Sequence, residues 1–454
     1  MTILSEKTLR IISKIGPLDI LIGTPSFNNE DTIGHVAKAI KLGLIKYFPS
    51  YRSGLVHLDA KSTDKTVEKM KHELKTAHST FESILIMNEH HPSLNGTAIL
   101  PEEITVIIPR RGKGNCLRGF FEIAQAVGAR ACAVFDSDLR SITPEWVSMM
   151  IGPVIRKDYD YVTPQYCRHK YDGTITNSIV YPLTTTLYGT KVRQPIGGEF
   201  GFSSRAVDLY LQKEVPAAEV TRFGIDIWMT TTVMAEKLNI CQSFLGAKIH
   251  DPKDPSASLG PMFRQVIGTM FELMPYYRNE WNHVKKSSPV KTFGFGCTVI
   301  PEEIRVNREA LVVKFQEGFG QHDHLWSEIL TKQNLKRIAN LRNQSVEGFR
   351  FPKDLWVKTV YDFAVFYNSK IKKSLKNEAV LSLVPLYFAY TASFVNETLD
   401  CNFNEAEKNV EKLCEKFMEL KPYLISRWDE ATNQKMRTKK SKRRKVQVPV
   451  GCKL

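Results

Sequence analysis

The sequence predicts an α/β protein: a doubly wound, mostly parallel sheet with helices on both faces, followed by a helical C-terminal region. Three observations point there. Short apolar runs of strand length alternate with segments of helical period through the first part of the chain, and strands separated by helices imply right-handed crossovers between parallel strands. Polar turns follow those strands, and in such sheets ligands bind beyond the carboxyl ends of the strands. From residue 301 the strand signals fade and long segments of helical period take over.

The elements follow in order. DILIGT (19–24) is a first strand, closed by the turn PSFNNED. Ile33, Val36, Ala37, Ile40 and Leu44 then recur at helical spacing. GLVHLD (54–59) is a second strand, and Ser62 or Thr63 caps the helix that begins DKTVEKMKHEL. ITVIIP (104–109) is a third strand, GKGNCLRGFFEIAQAVGA a glycine turn that becomes a helix, and ACAVF a fourth strand. The stretches opening at Pro25, Asp59, Lys113 and Asp136 thus all fall at strand ends. Residues 1–300 read as one catalytic domain, 301–430 as the helical region, and 431–454 as a basic, disordered tail.

The chain has 454 residues, 43% of them hydrophobic, ample for a large core. Residues 1–14 carry Glu6, Lys7, Arg10 and Lys14 without an apolar stretch, so no secretory signal is expected there. The longest uncharged apolar run, 379–395, falls short of the roughly 20 residues a membrane span needs and contains Pro385. It reads as a buried helix. Eight cysteines are scattered without a CxxC pair, the pattern of reduced, buried thiols in a cytoplasmic protein. Net charge is +15; the run KMRTKKSKRRK (435–445) holds eight bases and no acid, leaving +7 for the rest. Such a run is a solubilising tail or a contact for anionic lipid or nucleic acid.

The run ACAVFDSDLRS (131–141) carries the chemistry. Paired carboxylates at the end of a buried strand repel each other unless a proton or a cation intervenes. Either Asp136 or Asp138 caps the helix around PEWVSMM, or the pair holds Mg2+ or Mn2+, hard cations that bridge to substrate phosphates. The motif alone leaves both readings open. Lys113, between two glycines, reaches a phosphate or lies solvated in a helix-start turn. His322 and His324 fall on different faces of a helix and read as structural.

The series PSFNNE, HLDAKSTDKT, GKGNCLRG and FDSD resembles the nucleotide-sugar half of GT-A glycosyltransferases, a Rossmann-like fold. The second half, TPQYCRHKYDGTITN, VRQPIGGEFGFS and FGIDIWMTTTVMAEKLNICQSFLGAKIHD, is similar to the retaining enzymes of glycosyltransferase family 81, the glucosyl-3-phosphoglycerate and glucosylglycerate synthases. The resemblance covers about residues 18–255. It implies that Pro25, Ser26, Asn28, Glu30, Asp59 and Ser62 hold the nucleoside, and that Lys113, Gly114, Asp136 and Ser137 meet the diphosphate. It implies a metal site of Asp138 and His250 with Asp136. Glu199 and Gly198 would approach the sugar, and Asp226 would begin a helix near the acceptor. The acceptor stretch would be Gly173, Thr174 and Thr176, with Arg168 nearby. Phosphoglycerate-using relatives carry an arginine where this chain has Thr174. Threonine cannot give a charged, bidentate grip on phosphate, so D-glycerate stands beside 3-phosphoglycerate as acceptor.

The reaction implied moves a hexose, glucose in the relatives, from a nucleoside diphosphate sugar to a small acid. A diphosphate oxygen takes the acceptor proton in the retaining course; Asp226 would be the base in an inverting one. A homodimer is expected from relatives. Two other classes stand beside this: an inverting transferase acting on a lipid-linked acceptor, with the basic tail touching the membrane, and a non-catalytic protein whose tail grips nucleic acid. The folded part has no basic and aromatic stripe, which argues against the last.

Overall fold

The structure, a computed structural model, describes residues 3–4, 6–75, 82–88, 104–108, 112–213, 220, 224–249, 255–296, 304–369 and 372–446. Nine strands form one sheet: β1 (Ile20–Ser26), β2 (Ser53–Asp59), β3 (Glu82–Asn88), β4 (Ile104–Ile108), β5 (Ala131–Val134), β6 (Tyr161–Cys167), β8 (Phe200–Ser203), β9 (Ile240–Ala247) and β11 (Lys291–Phe293). Their order is β11-β9-β6-β8-β5-β1-β2-β3-β4. A separate two-stranded ribbon pairs β7 (Thr190–Lys191) with β10 (Ser288–Pro289). All pairs of the large sheet are parallel except those of β8, which runs antiparallel between β5 and β6. This is the doubly wound, mostly parallel α/β architecture that the alternation of strands and helices predicts.

Helix α1 (Glu6–Ser13) precedes the first strand; α2 (Ile33–Tyr47), α3 (Thr66–Lys75), α4 (Lys113–Ala126), α5 (Pro144–Lys157), α7 (Ser204–Gln212), α8 (Gly224–Ala235) and α9 (Pro255–Leu273) alternate with the strands, and α6 (Tyr181–Tyr188) lies between β6 and β7 in sequence. The core under one face joins Ile20, Ile22 and Leu55 of the sheet to Val36, Ile40 and Leu44 of α2 and to Trp146, Val147 and Met150 of α5. The apolar residues that set the helical period of α2 in the sequence are those it buries. Close helix-to-sheet packing demands small residues. A Cβ on Gly43 would meet the Pro144 carbonyl oxygen at 2.7 Å, and one on Gly201 would meet that of Met150 at 2.1 Å.

The chain divides into two compact units, one of residues 1–176, 188–273 and 287–304, the other of 177–187, 274–286 and 305–454. The helical unit takes up the chain from residue 305, together with segments 177–187 and 274–286. Hydrogen bonds within that unit give the reason. The Trp356 indole donates to the Ser178 carbonyl at 2.9 Å, and the buried Lys421 ammonium donates to the carbonyls of Thr186 and Val284 at 2.9 and 2.7 Å.

The second unit is built from α10 (Arg278–Asn282), α11 (Arg308–Ile329), α12 (Lys332–Leu341), α13 (Lys353–Ser369), α14 (Lys373–Thr398), α15 (Phe403–Glu419) and α16 (Lys421–Val446). Buried Asp362 ties three of these helices, accepting from Asn334 at 3.0 Å, Tyr423 at 2.8 Å and Arg427 at 2.9 Å. Among the described residues α14 alone is long and apolar enough to cross a membrane. Its apolar stretch is 72% buried inside the fold, so it packs as a core helix, as read from the sequence.

Three expectations are corrected. Strand β3 was not read, so FDSD follows the fifth strand, not the fourth. The basic run 435–445 is not a disordered tail but continues α16: lysine, arginine and methionine are good helix formers, and no glycine or proline interrupts them. Cys167 is disulfide-bonded, whereas Cys116, Cys132, Cys241, Cys401 and Cys414 form no disulfide. Spacing along the chain does not report which thiols meet in space.

Gly201→Ala should lower stability by about 1–3 kcal/mol or more, because the clash is with backbone that cannot swing aside. A urea-denaturation midpoint equal to that of the wild type would mean that α5 is not seated on β8.

Candidate active site

The strand-end loops converge beyond the carboxyl edge of the sheet. The loop after β1 and the loop after β2 are zipped together. Asn28 takes a left-handed conformation, φ 53°; its amide donates to Ser62 Oγ at 2.9 Å and its Oδ1 accepts from the Thr63 amide at 2.8 Å. Asn29 N bonds Thr66 Oγ1, and Glu30 exchanges bonds with Asp64 and the Lys65 amide. Ser137, from the DSD segment, donates to Asn29 Oδ1 at 2.7 Å. Three loops distant in sequence thus share one rim.

Asp59 is drawn into a network within the loops. It is fully buried; Oδ1 accepts from Ser26 Oγ at 2.9 Å and Ser62 Oγ at 2.6 Å, and Oδ2 from the amides of Lys61 and Ser62 at 2.9 and 2.8 Å. A carboxylate offers about four lone-pair positions, all of them engaged here. Ser26 also bonds His57 Nε2 at 2.8 Å. In this conformation Asp59, Ser26 and Ser62 hold the loop instead of presenting open acceptors to a nucleoside. Pro25, in β1, lies in register with Leu58.

A largely buried ionic cluster lies where β5 and β9 end and two helices begin. Lys113 opens α4 and Asp226 stands in the first turn of α8. The Lys113 ammonium lies 3.0 Å from Asp136 Oδ1 and 3.1 Å from Asp226 Oδ1. The other oxygen of Asp136 lies 3.2 Å from the ammonium of Lys248, just beyond β9. Lys248 also donates to both oxygens of Glu199, at 3.0 and 2.9 Å, and to the Gly197 carbonyl at 2.8 Å. Tyr166, on β6, donates to Glu199 in turn. Gly198 makes the approach possible. Its φ is +94°, and a Cβ there would stand 2.1 Å from Asp136 Oδ2.

Three carboxylates thus face two ammonium groups, one negative charge in excess. Burial opposes charge on both lysines, but Asp136 and Asp226 hold Lys113 above its ordinary pKa, and Glu199 and Asp136 do the same for Lys248. Burial raises Asp226, against the pull of Lys113. Burial also pushes fully enclosed Glu199 up to about 7, Lys248 opposing and Asp136 assisting. The excess is therefore relieved by a proton on Glu199 near neutral pH.

Asp138 is buried two residues beyond Asp136. His250, the third expected metal ligand, lies outside the described residues. Among the described residues no three metal-binding side chains cluster. Asp136 and Asp138 nonetheless offer hard oxygen donors at one strand end, and that donor chemistry fits a divalent cation. Gly114 is buried in the first turn of α4. Gly173 closes the turn after β6, Thr174 follows in helical conformation and Thr176 opens a short π-helix (Thr176–Val180), with Arg168 Nη1 3.5 Å from the position of a Cβ on Gly173. His322 and His324 lie on α11, the latter beside Glu328, as structural residues.

Sequence reasoning missed Lys248 and Tyr166. The signal for Lys248 was its place in AKIHD, directly after a strand and two residues before His250.

A doubly wound sheet with buried acids and ammonium groups at its carboxyl edge defines an α/β protein with a ligand site at the strand ends. No protein-family model and no curated protein matches the chain. Among solved structures it is similar to glucosyl-3-phosphoglycerate synthase from Mycobacterium tuberculosis. With Mn2+, UDP and glucosyl-3-phosphoglycerate bound, that enzyme is 24% identical, covering 58% of this chain and 82% of that one, at a TM-score of 0.42. Its complex with Mn2+, UDP-glucose and phosphoglyceric acid is 22% identical over 59% and 82%, at 0.41. Its complex with Mn2+, UDP-glucose and glycerol 3-phosphate is 24% identical over 59% and 83%, at 0.41. The assignment of the fold rests on the strand order described above.

Two outcomes are expected. Lys248→Met should cost about 3–5 kcal/mol by leaving buried carboxylates without a cation, and Glu199→Gln in the same chain should recover a good part of it. A double-mutant cycle by denaturation checks this; strictly additive effects would mean the two side chains are not coupled. Separately, folded Glu199 keeps its proton to about pH 7, against the ordinary 4.5 when unfolded. The folded state then binds more protons across that window, so stability falls as pH rises through it and stays lower above. Thermal midpoints of metal-free protein between pH 5 and 8 should show this slope, and Glu199→Gln should flatten it.

Proposed function

We propose that the chain is a glycosyltransferase that moves a hexose, glucose by preference, from a nucleoside diphosphate sugar to a small acid, D-glycerate or 3-phosphoglycerate. The observation that supports this best is the pair of buried ammonium groups, Lys113 and Lys248, held around Asp136 at the carboxyl edge of the sheet. Buried cations at that place suit a leaving diphosphate. The order of motifs in the sequence adds to it, as do the ligands carried by the M. tuberculosis structures: UDP, UDP-glucose and phosphoglyceric acid, with Mn2+ or Mg2+.

In the reaction, the acceptor hydroxyl oxygen bonds to the anomeric carbon as its bond to the diphosphate breaks. The acceptor proton passes to a diphosphate oxygen in the retaining course. Mg2+ or Mn2+, held by Asp138 with Asp136, would supply further neutralisation of the departing diphosphate. Lys113, held charged by two carboxylates, presents an ammonium to the same oxygens. Lys248 fixes Asp136 from the other side and keeps Glu199 beside it. Asp226, paired with Lys113, anchors that ammonium.

Asp138→Asn should reduce turnover by about 10²–10³-fold, the usual cost of removing one group that stabilises transition-state charge, and should weaken Mn2+ binding in a calorimetric titration. A donor-by-acceptor matrix of UDP-, GDP- and ADP-hexoses against glycerate and 3-phosphoglycerate identifies the substrates. Full turnover with unaltered Mn2+ affinity in the folded variant would sink the metal-dependent reading, and a product anomer opposite to the donor's would overturn retention.

A further inference from the structure

The basic run 435–445 takes no role in the proposed transfer, and its place is set by the helix it belongs to. The first half of α16 is anchored in the helical unit. Leu424 is fully buried, Tyr423 and Arg427 bond Asp362 at 2.8 and 2.9 Å, and the Trp428 ring stands edge-on to Trp281 with centres 5.4 Å apart. Arg278 reaches Asp429 at 2.9 Å. The helix then continues without a break to Val446. The run is therefore carried on a helical rod rooted at one end.

No acid follows Glu430 up to residue 454, and eight bases occupy residues 435–445. Lys435 and Lys439, Lys439 and Arg443, and Lys440 and Arg444 stand four apart, the spacing at which like charges oppose a helix. No acid in the run offsets this, and an external polyanion would. The shape of the charge distribution says which kind. With 3.6 residues per turn the bases spread round the whole axis, leaving no arc wider than about 80° without one. Met436 is the one apolar residue among them. A helix that lies in a membrane surface needs an apolar face to sink into it. A flat anionic surface also attracts chiefly the near side of a helix, because its field fades over about 8 Å while the helix is about 10–12 Å across.

A duplex groove meets a helix from both sides. The major groove of B-form DNA is about 12 Å wide, the diameter of an α-helix, and continuous basic helices dock in it. The charge densities match as well. The run offers one base per about 2 Å of helix, against one phosphate per about 1.7 Å of duplex axis. We propose that α16 beyond Glu430 is a docking arm for double-helical DNA, held by phosphates on both walls of the major groove without preference for sequence. It is a second binding surface, independent of the strand-end site and of the transferase reading.

The test is fluorescence anisotropy of the full chain with a labelled DNA duplex of about two helical turns, through a salt series. Duplex RNA and vesicles of equal parts phosphatidylcholine and phosphatidylserine run in parallel. DNA should bind more tightly than either, with log Kd rising against log salt at a slope of about 5–7. Lys439→Gln, Arg444→Gln and Lys445→Gln fall on three different sides of the helix. Each should weaken DNA binding about threefold to tenfold and lower the slope by about one. Ser441→Pro keeps all eight bases but breaks the helix, and should weaken DNA binding about tenfold or more. UDP affinity should be unchanged in every variant, and a thermal midpoint taken alongside verifies folding. The proposal is overturned if DNA does not bind, or if RNA or the vesicles bind as tightly as DNA. It is equally overturned if charge removal matters on one side only or not at all, or if Ser441→Pro binds DNA like the wild type.

Discussion

The sharing of Asp136 between two buried lysines is the interaction on which the rest of the site depends. Lys113 comes from the start of α4 and Lys248 from the end of β9. Neither ammonium is tolerable in a buried place without a counter-charge. One carboxylate at the end of β5 serves both, and so fixes where two distant segments stop. The backbone before β8 has to pass against the same carboxylate, and only glycine at 198 lets it do so. Strand order, helix starts and loop shape thus meet in one residue.

Around this centre the carboxylates divide by what surrounds them. Asp59 has its acceptor positions taken by hydroxyls and amides of its own and neighbouring loops, and works as the knot that ties the β1 and β2 loops. Asp136 faces cations. Glu199, with a lysine and a tyrosine against it and fully enclosed, takes up the proton that balances the cluster. The chemical type is the same in all three, and the environment sets the role.

Much of the first unit was legible because period and turn chemistry are local. The stripe of α2, the strands around Ile20, Leu55 and Ala133, and the DSD at a strand end all follow from spacing within a few residues. What was not legible is what depends on distance in space. β3 carries glutamate and serine at its start and ends next to a long polar segment, so its run looked weak alone. Lys248 is an ordinary lysine in sequence; only the fold sets it against Glu199. The same holds for Cys167, and for 177–187 and 274–286, whose membership of the helical unit comes from contacts with Trp356 and Lys421, far along the chain. The acid after the second strand stood out in the sequence, but the four hydrogen bonds it accepts come from side chains and amides whose approach spacing does not report.

A comparison of buried lysines shows what separates a chemical site from a structural one. Lys421, in the helical unit, is buried, but it faces carbonyl oxygens and not carboxylates. Its two acceptors lie in the last turn of α6 and just past α10, where helix ends leave carbonyls without partners. Burial, with Arg278 adding repulsion, pushes its pKa down to about 7. Carbonyl dipoles satisfy its N–H groups without repaying the cost of its charge. Lys113 and Lys248 are desolvated too and are driven the opposite way, because the Asp136 carboxylate stands 3.0 and 3.2 Å off. A lysine held permanently charged in a buried place is of use only to something negative that arrives there, whereas Lys421 is accounted for by the helix ends it closes. That difference in partners, and not burial itself, is why the strand-end cluster reads as the place where this protein does its chemistry.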